Sequence, residues 1–323
     1  MKSIHSNVLP GDFTVRSPEP GDAEAIFGLV SAYNTAVIGA ADCTLDEIAD
    51  CIVEPGFDRA TDGWLVLAGD GEPAGYATAF GLGEDRQTVQ VEVTSADPAV
   101  AQWLFAEAMG RAREMGRERG HPEITVDSCI YQADEPLHAL LLGDDFSLGT
   151  TYYRMRIDHA GAVAAPELPA GIVIRRGAFD DASRLAAHEA MIESFSGQFG
   201  YVIRPHDEWV EALGASSTFD WSQLTVLEAE GQVVAVRSCG DEFVKDENSG
   251  YIGMLCVAED FRGRGLAKFL LRDSFALDAA AGRSGSILNV DTNNPTPALG
   301  LYLSVGMKPV LVFDGLRRVL PTA

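Results

Sequence analysis

The chain contains 323 residues, of which 46% are hydrophobic and 22% charged, a composition typical of a soluble globular protein long enough for two domains. Acidic residues outnumber basic residues by 48 to 24, and the net charge of −24 argues against a nucleic-acid-binding protein, which needs basic patches. This acidic field either attracts a cationic substrate or simply keeps the protein soluble.

Neither a secretion signal nor a membrane span is expected. The N-terminal stretch MKSIHSNVLPGDF lacks the apolar core of a signal peptide, and no apolar run reaches the roughly 18 residues of a membrane helix. The five cysteines show no C-x-x-C spacing, which favours reduced thiols. We therefore expect a cytoplasmic protein with no membrane or nucleic-acid partner and no metal site.

The first half of the chain shows apolar spacings typical of alternating strands and helices. The predicted elements are a strand at 13–16, helices at 22–36 and from 44, a hairpin at 64–68 and 74–80, a strand at 88–94, a helix at 99–117, a strand at 124–129, a helix at 135–142 and a strand at 150–157. The helix after Thr44 begins with a capping box, because Glu47 follows the threonine by three residues.

Residues 160–171 (AGAVAAPELPAG) have no periodicity and are interpreted as a linker. The same order of elements then repeats, with strands at 172–175, 224–229, 232–239, 250–257, 287–291 and 307–313 and helices at 181–195, 205–213, 265–280 and 297–304. Arg16 aligns with Arg175 and Asp127 with Asp291, so whole elements recur at a near-constant offset, which predicts a duplicated domain. We predict an α/β (α+β) fold with domains at 1–159 and 172–323, each a mixed, mostly antiparallel sheet flanked by helices.

The most informative stretch is 250–271, GYIGMLCVAEDFRGRGLAKFLL, in which a strand leads through a turn into a helix. The turn contains Arg262, Gly263, Arg264 and Gly265. Glycines let backbone N–H groups approach an anion, the helix N-terminus adds partial positive charge, and arginines add full charges. The stretch therefore predicts a phosphate-binding turn.

Two segments of the second half resemble the signatures of the GNAT-type N-acetyltransferases. Residues 262–267 (RGRGLA) are similar to the family's Arg/Gln-x-x-Gly-x-Gly/Ala turn, and 289–307 (NVDTNNPTPALGLYLSVGM) to its second signature, with Met307 in place of the usual Phe. The resemblance implies two tandem GNAT-like domains, of which the second is catalytic. The overall organisation is similar to that of mycothiol synthase, and other tandem acetyltransferases share it.

The resemblance also implies acetyl-coenzyme A as acyl donor and assigns roles to residues. The implied coenzyme-binding residues are Leu255, Cys256, Val257, Arg262, Gly263, Arg264, Gly265, Leu266, Ala267 and Asn294. The N–H of Val257 would bind the thioester carbonyl, and Tyr302 would protonate the departing thiolate. Cys256 is interpreted as an apolar strand residue and not as a nucleophile.

The sequence leaves the general base open. Related enzymes often carry a Glu on the strand before the turn, where this chain has Tyr251. Candidates are an ordered water or one of the acids Glu228, Asp241, Glu242, Asp246 and Glu247. The region expected to shape the acceptor pocket, or simply to form an aromatic core, contains His188, Phe195, Phe199, Tyr201, His206, Glu208 and Trp209.

The first half departs from both signatures. It has VTSADPAVA at 93–101 in place of the glycine-rich turn, with Asp97 where pyrophosphate would bind, and only LLLGDDF at 140–146 in place of the second signature. We therefore predict that the first domain has lost coenzyme binding.

The predicted function is acetyl transfer from acetyl-coenzyme A to a primary amine by direct attack in the second domain. The alternative is a non-catalytic acyl-coenzyme A sensor or interaction protein. A small-molecule amine and a protein amine both remain open as acceptor, as do a monomer and a homodimer.

Overall fold

The computed structural model describes residue 9 and residues 11–177 and 180–322. The N-terminal residues 1–8, part of the stretch for which no secretion signal is expected, lie outside these ranges. The chain divides into two compact units, one formed by the residues up to Gly149 together with those from Phe313, and the other by Thr150–Val312. In the part of the chain that the structure describes, no helix is both long and apolar enough to cross a membrane.

The first unit begins with elements that follow the predicted order. They are β1 (Thr14–Arg16), α1 (Ala23–Ile38), α2 (Leu45–Val53), α3 (Arg59–Asp62), β2 (Gly63–Leu67), β3 (Pro73–Leu82), β4 (Thr88–Thr94), α4 (Pro98–Glu118), β5 (Glu123–Tyr131) and α5 (Glu135–Gly143). Neighbouring strands from β1 to β4 are antiparallel, whereas β4 and β5 are parallel. The predicted capping box starts α2, where Thr44 Oγ1 accepts the Glu47 N–H at 3.1 Å and the Glu47 carboxylate accepts the Thr44 N–H at 2.7 Å.

The second unit repeats this arrangement. Its elements are β6 (Ser147–Asp158), β7 (Ile172–Arg176), α6 (Asp181–Phe195), α7 (His206–Ala215), β8 (Leu224–Ala229), β9 (Gln232–Gly240), α8 (Val244–Glu247), β10 (Ser249–Val257), α9 (Leu266–Ala280), β11 (Gly285–Asp291) and α10 (Ala298–Ser304). Strands β7 to β10 are antiparallel neighbours, and β10 and β11 are parallel. The predicted fold class is confirmed, because each unit has a mixed, mostly antiparallel sheet flanked by helices.

The closing strands are exchanged between the two halves of the sequence. The last strand, β12 (Lys308–Pro321), pairs antiparallel with β5 from Phe313↔Tyr131 to Pro321↔Glu123. Strand β6, at the end of the first half, pairs instead with β11, from Gly285↔Asp158 to Asp291↔Tyr152. The unit boundaries thus fall at 149/150 and 312/313 and differ from the predicted 159 and 172, because apolar alternation identifies a strand but not its partner.

The strand β12 also continues beyond the predicted end at 313. Arg317 and Arg318 break the apolar pattern, but both lie in ion pairs, Arg317 with Asp127 opposite it at 2.6 Å and Arg318 with Asp144. Cross-strand pairing of opposite charges stabilises a strand at such positions. The predicted alignment of Asp127 with Asp291 is wrong. Asp127 is the last residue of β5 that pairs with β4, and the last residue of β11 that pairs with β10 is Ile287, so Asp127 corresponds to Ile287.

Candidate active site

The two parallel strands of the second unit separate halfway along their length. Strands β10 and β11 pair over only three positions, from Ser249↔Gly285 to Tyr251↔Ile287, although they continue to Val257 and Asp291. The pairing of β10 with β9 shifts register between Ile252 and Met254, a bulge that increases the bend of a strand. The separation opens a cavity of about 670 Å³ that residues of both strands line, within the size range of small-molecule sites.

The glycine-rich turn forms one end of this cavity. Gly263 and Gly265 have φ angles of +76° and +82°, in the left-handed region that glycine adopts at no steric cost. Added Cβ atoms at both positions would meet no atom within 4 Å, so the space in front of the turn is open. Gly265 is also the N-cap of α9 and cannot cap it with a side chain. The N–H groups of the first turn of α9 lack acceptors within the helix and are available to an anion.

The basic residues at the turn are arranged differently from the sequence prediction. Arg262 lines the cavity and donates through Nε to the Val257 carbonyl at 3.2 Å. Arg264 is not among the lining residues, because its guanidinium lies over the Phe261 ring at 4.5 Å and donates to the Asp260 carbonyl at 2.9 Å. Lys268, in the first turn of α9, does line the cavity. Its position, which sequence analysis missed, follows from the same turn-to-helix pattern.

The end of β10 presents backbone N–H groups to the opening. The Ala258 N–H donates to the Val234 carbonyl on β9 at 2.9 Å. Successive N–H groups of a strand point to opposite edges, so the Val257 N–H points away from β9 and towards the opening. By the same alternation the Leu255 N–H points the same way. An extended ligand arm or a carbonyl oxygen in the opening can therefore be bound by this strand edge.

Tyr302 enters the cavity from α10 and is 9% exposed. Burial raises the pKa of its phenol to about 12, so the hydroxyl keeps its proton at neutral pH. Asn294 also lines the cavity, with its Oδ1 accepting hydrogen bonds from the Thr296 N–H at 2.9 Å and the Thr296 hydroxyl at 2.7 Å. Its Nδ2 group is the part that remains for a ligand.

The two faces of the second sheet contribute different groups. On the α9 face, Leu288 and Val290 pack with Tyr302 in one apolar cluster. On the α6 face, Cys256 packs with α6, and the loop after α6 covers Tyr152, whose hydroxyl donates to the Phe199 carbonyl at 2.9 Å. Burial raises the pKa of the Cys256 thiol to about 11, which keeps it neutral and unsuited to act as a nucleophile.

The acids that the sequence offered as general bases do not line the cavity. Glu228 pairs with Arg175 at 2.8 Å, Asp241 with Arg283 at 2.5 Å, and Glu247 with Arg156 at 2.5 Å, whereas Asp246 is exposed and Glu242 lies beside Gly240. Of the described residues that line the cavity, Asp291 is the single carboxylate. Sequence analysis did not select it, because it lies in the second signature among polar turn residues.

The aromatic region between α6 and α7 separates into two groups. Phe195, Phe199 and Tyr201 line the cavity. His188 is 2% exposed and stacks on Trp209 with ring centroids 4.5 Å apart, so it belongs to the protein core and not to the cavity lining. Neither His188 nor His206 is among the lining residues.

Comparisons with known proteins agree with this geometry. The sequence profile of the acetyltransferase (GNAT) domain matches residues 220–308, and no curated protein sequence matches the chain. The fold is similar to that of a GCN5-related N-acetyltransferase from Sphaerobacter thermophilus, with 24% sequence identity and a TM-score of 0.79. The similarity covers 97% of this chain and 98% of that chain. It is also similar to a tandem GNAT protein from the clavulanic acid biosynthesis pathway, at 13% identity, 96% and 99% coverage and a TM-score of 0.69. A third similar structure is Saccharomyces cerevisiae N-myristoyltransferase with bound myristoyl-CoA, at 12% identity, 96% and 83% coverage and a TM-score of 0.64.

The fold is therefore that of the tandem GNAT proteins. The second unit contains a match to the acetyltransferase (GNAT) domain, and this domain and the fold support an acyltransferase that performs acyl-coenzyme A-dependent N-acyl transfer.

Proposed function

We propose that the protein transfers an acetyl group from acetyl-coenzyme A, a substrate of the reaction, to a primary amine in its second unit. The main support is the opening between β10 and β11, which ends at the open glycine turn before α9. The first-turn N–H groups of α9, with Arg262 and Lys268, would hold the pyrophosphate. The edge of β10 at Leu255 and Val257 would bind the extended arm and the thioester carbonyl.

The residues around the opening can then act on the thioester. The amine nitrogen attacks the carbonyl carbon, and the Val257 N–H stabilises the negative charge that develops on the carbonyl oxygen. The carbon–sulfur bond breaks, and the Tyr302 hydroxyl gives its proton to the departing thiolate. The amine first loses one proton to water, since a protonated amine has no electron pair for attack. The nitrogen loses a second proton as the amide forms, and this proton, passed through water, restores the Tyr302 hydroxyl.

The test is release of free thiol from acetyl-coenzyme A in the presence of a panel of primary amines. Tyr302→Phe should lower turnover at least about tenfold while leaving coenzyme A binding unchanged by calorimetry. Tyr153→Phe is the matched control, because Tyr153 packs in the same apolar cluster but does not line the cavity. Equal turnover of Tyr302→Phe and the control would show that another group protonates the thiolate.

The position of the predicted base acids outside the cavity favours one alternative, a non-catalytic acyl-coenzyme A sensor. Such a protein would bind coenzyme A but release no thiol with any amine of the panel. Thiol release that requires both the amine and the intact glycine turn would exclude the sensor.

A further inference from the structure

Asp291 is a buried carboxylate that faces the cavity. It is the last residue of β11 and 8% exposed. Its Oδ1 accepts the Asn293 N–H at 2.8 Å and the Thr150 hydroxyl. Among the described residues, no basic side chain lies within ion-pair distance of it, although a buried carboxylate is costly without a counter-ion. Asp291 thus has hydrogen-bond donors on Oδ1 but no counter-ion in contact with it among the described residues.

The fold does not require a carboxylate at this position. Asp291 lies opposite Tyr152 on β6, as Tyr131 lies opposite Phe313 in the first unit. In the first unit the corresponding strand, β5, therefore forms with a tyrosine at this position. Asp291 is an addition particular to the unit with the open glycine turn.

Aromatic side chains line the same cavity as Asp291, and one of them, Tyr152, lies opposite Asp291 on the neighbouring strand. The lining there includes Tyr152, Phe199 and Tyr201, and the rings of Phe195 and Tyr201 lie 5.6 Å apart. Such walls bind an apolar body by excluding water, and their ring faces also attract a cation. The basic lining residues, Arg262 and Lys268, belong to the glycine turn and to the first turn of α9.

The charges on the lining define the kind of amine that fits. One carboxylate compensates one ammonium group, whereas the further charges of a polyamine or an aminoglycoside would have only the weaker attraction of the ring faces to offset their loss of water. The amine would also approach from the α6 face, whereas Tyr302 belongs to the cluster on the α9 face. Attack and departure of the thiolate would then occur on opposite sides of the opening.

We propose that the acceptor is a primary monoamine with an aromatic or otherwise apolar body, and that Asp291 binds its ammonium group. This inference rests on the proposed function, because it names the acceptor of the same site. Asp291 is thus a specificity-determining residue, and Tyr152, Phe199 and Tyr201 form the wall for the body of the amine.

The test measures binding without turnover. Coenzyme A-loaded protein is titrated at pH 7 with 2-phenylethylamine, with 2-phenylethanol as the uncharged analogue and with spermidine as the polyamine. We expect 2-phenylethylamine to bind about 10- to 100-fold more tightly than 2-phenylethanol, the range for a hydrogen bond to a charged group. Spermidine should bind no more tightly than 2-phenylethanol.

Two variants separate charge from shape. Asp291→Asn keeps the acceptor for the Asn293 N–H and should remove the preference for 2-phenylethylamine over 2-phenylethanol. Asp246→Asn, at an exposed position outside the lining, removes the same charge and should keep the preference. In a second arm, Tyr201→Leu should weaken 2-phenylethylamine several-fold more than n-butylamine, a readout that does not depend on the stability of Asp291→Asn.

Equal binding of the amine to wild type and a folded Asp291→Asn would overturn the proposal, and so would spermidine binding more tightly than 2-phenylethylamine. The outcome for the proposed function is read separately. If no amine releases thiol but the Asp291-dependent preference persists, the amine site stands and acetyl transfer fails. If amines release thiol but the preference is absent, acetyl transfer stands and this acceptor assignment fails.

Discussion

The glycine turn offers the sharpest test of where coenzyme A binds. Gly265→Asp places a carboxylate at the N-cap of α9, where an added side chain meets no atom within 4 Å. Asp is among the residues that tolerate a positive φ, so the φ of +82° costs about 1 kcal/mol of stability. A charge about 5 Å from each phosphate, at an effective dielectric constant between about 20 and 80, costs about 1–3 kcal/mol per phosphate. Coenzyme A binding should therefore weaken about 30-fold or more.

Gly282→Asp is the matched control for this experiment. Gly282 follows the other end of α9, has a φ of +78° and is equally free of neighbouring atoms. It should therefore carry a similar backbone cost and the same added charge without touching the cavity. Calorimetry with coenzyme A compares the two variants and the wild type. Binding to Gly265→Asp within threefold of binding to Gly282→Asp would refute the assignment of the pyrophosphate to this turn.

Three further predictions concern stability and stoichiometry. The pKa of Tyr302 is raised to about 12 in the folded protein, so the unfolded chain loses this proton first as pH rises. Between pH 10 and 12 the free energy of unfolding, measured in urea, should therefore fall by up to about 3 kcal/mol more in wild type than in Tyr302→Phe. An equal dependence of this free energy on pH in the two proteins would contradict the prediction. Asp273→Asn should lower the free energy of unfolding by about 3–5 kcal/mol, because it removes the counter-ion that lies 2.9 Å from the buried Arg237, which is 2% exposed. The control Asp181→Asn changes a side chain that is 96% exposed and should lower this free energy by less than about 1 kcal/mol. Calorimetry should find one coenzyme A per chain, because Asp97 already accepts the first N–H groups of α4 at 2.8 and 3.2 Å; two would contradict the loss of binding in the first unit.

Much of the local structure could be predicted from residue types with one dominant conformational requirement. The capping box at Thr44 is recognisable because both of its hydrogen bonds join residues three positions apart. Gly263 and Gly265 likewise indicated a turn between the strand and the helix, and both residues have a positive φ angle. Their requirements are met by a few adjacent residues, so the order of the chain is enough to predict them.

The side-chain partners could not be predicted in the same way. Arg264 is a turn residue in sequence, but it stacks on Phe261 and does not line the cavity. The acids proposed as bases all lie outside the cavity lining, and three of them form ion pairs. Their arginine partners lie on other strands or loops, so the order of residues did not reveal these pairs. Asp291, which does face the cavity, differs from them in no property that the sequence displays.

The sequence by itself determined the class of this protein, since two local signatures in the right order, and the recurrence of whole elements, depend only on the spacing of residues along the chain. The tertiary structure decided which strand completes which unit and which groups meet in the cavity. Tyr152 belongs to the first half of the sequence, yet through the exchange of β6 it lies opposite Asp291. Periodicity assigns a side chain to a face of its strand, but the neighbour across the ladder is set by the pairing of backbones distant in sequence.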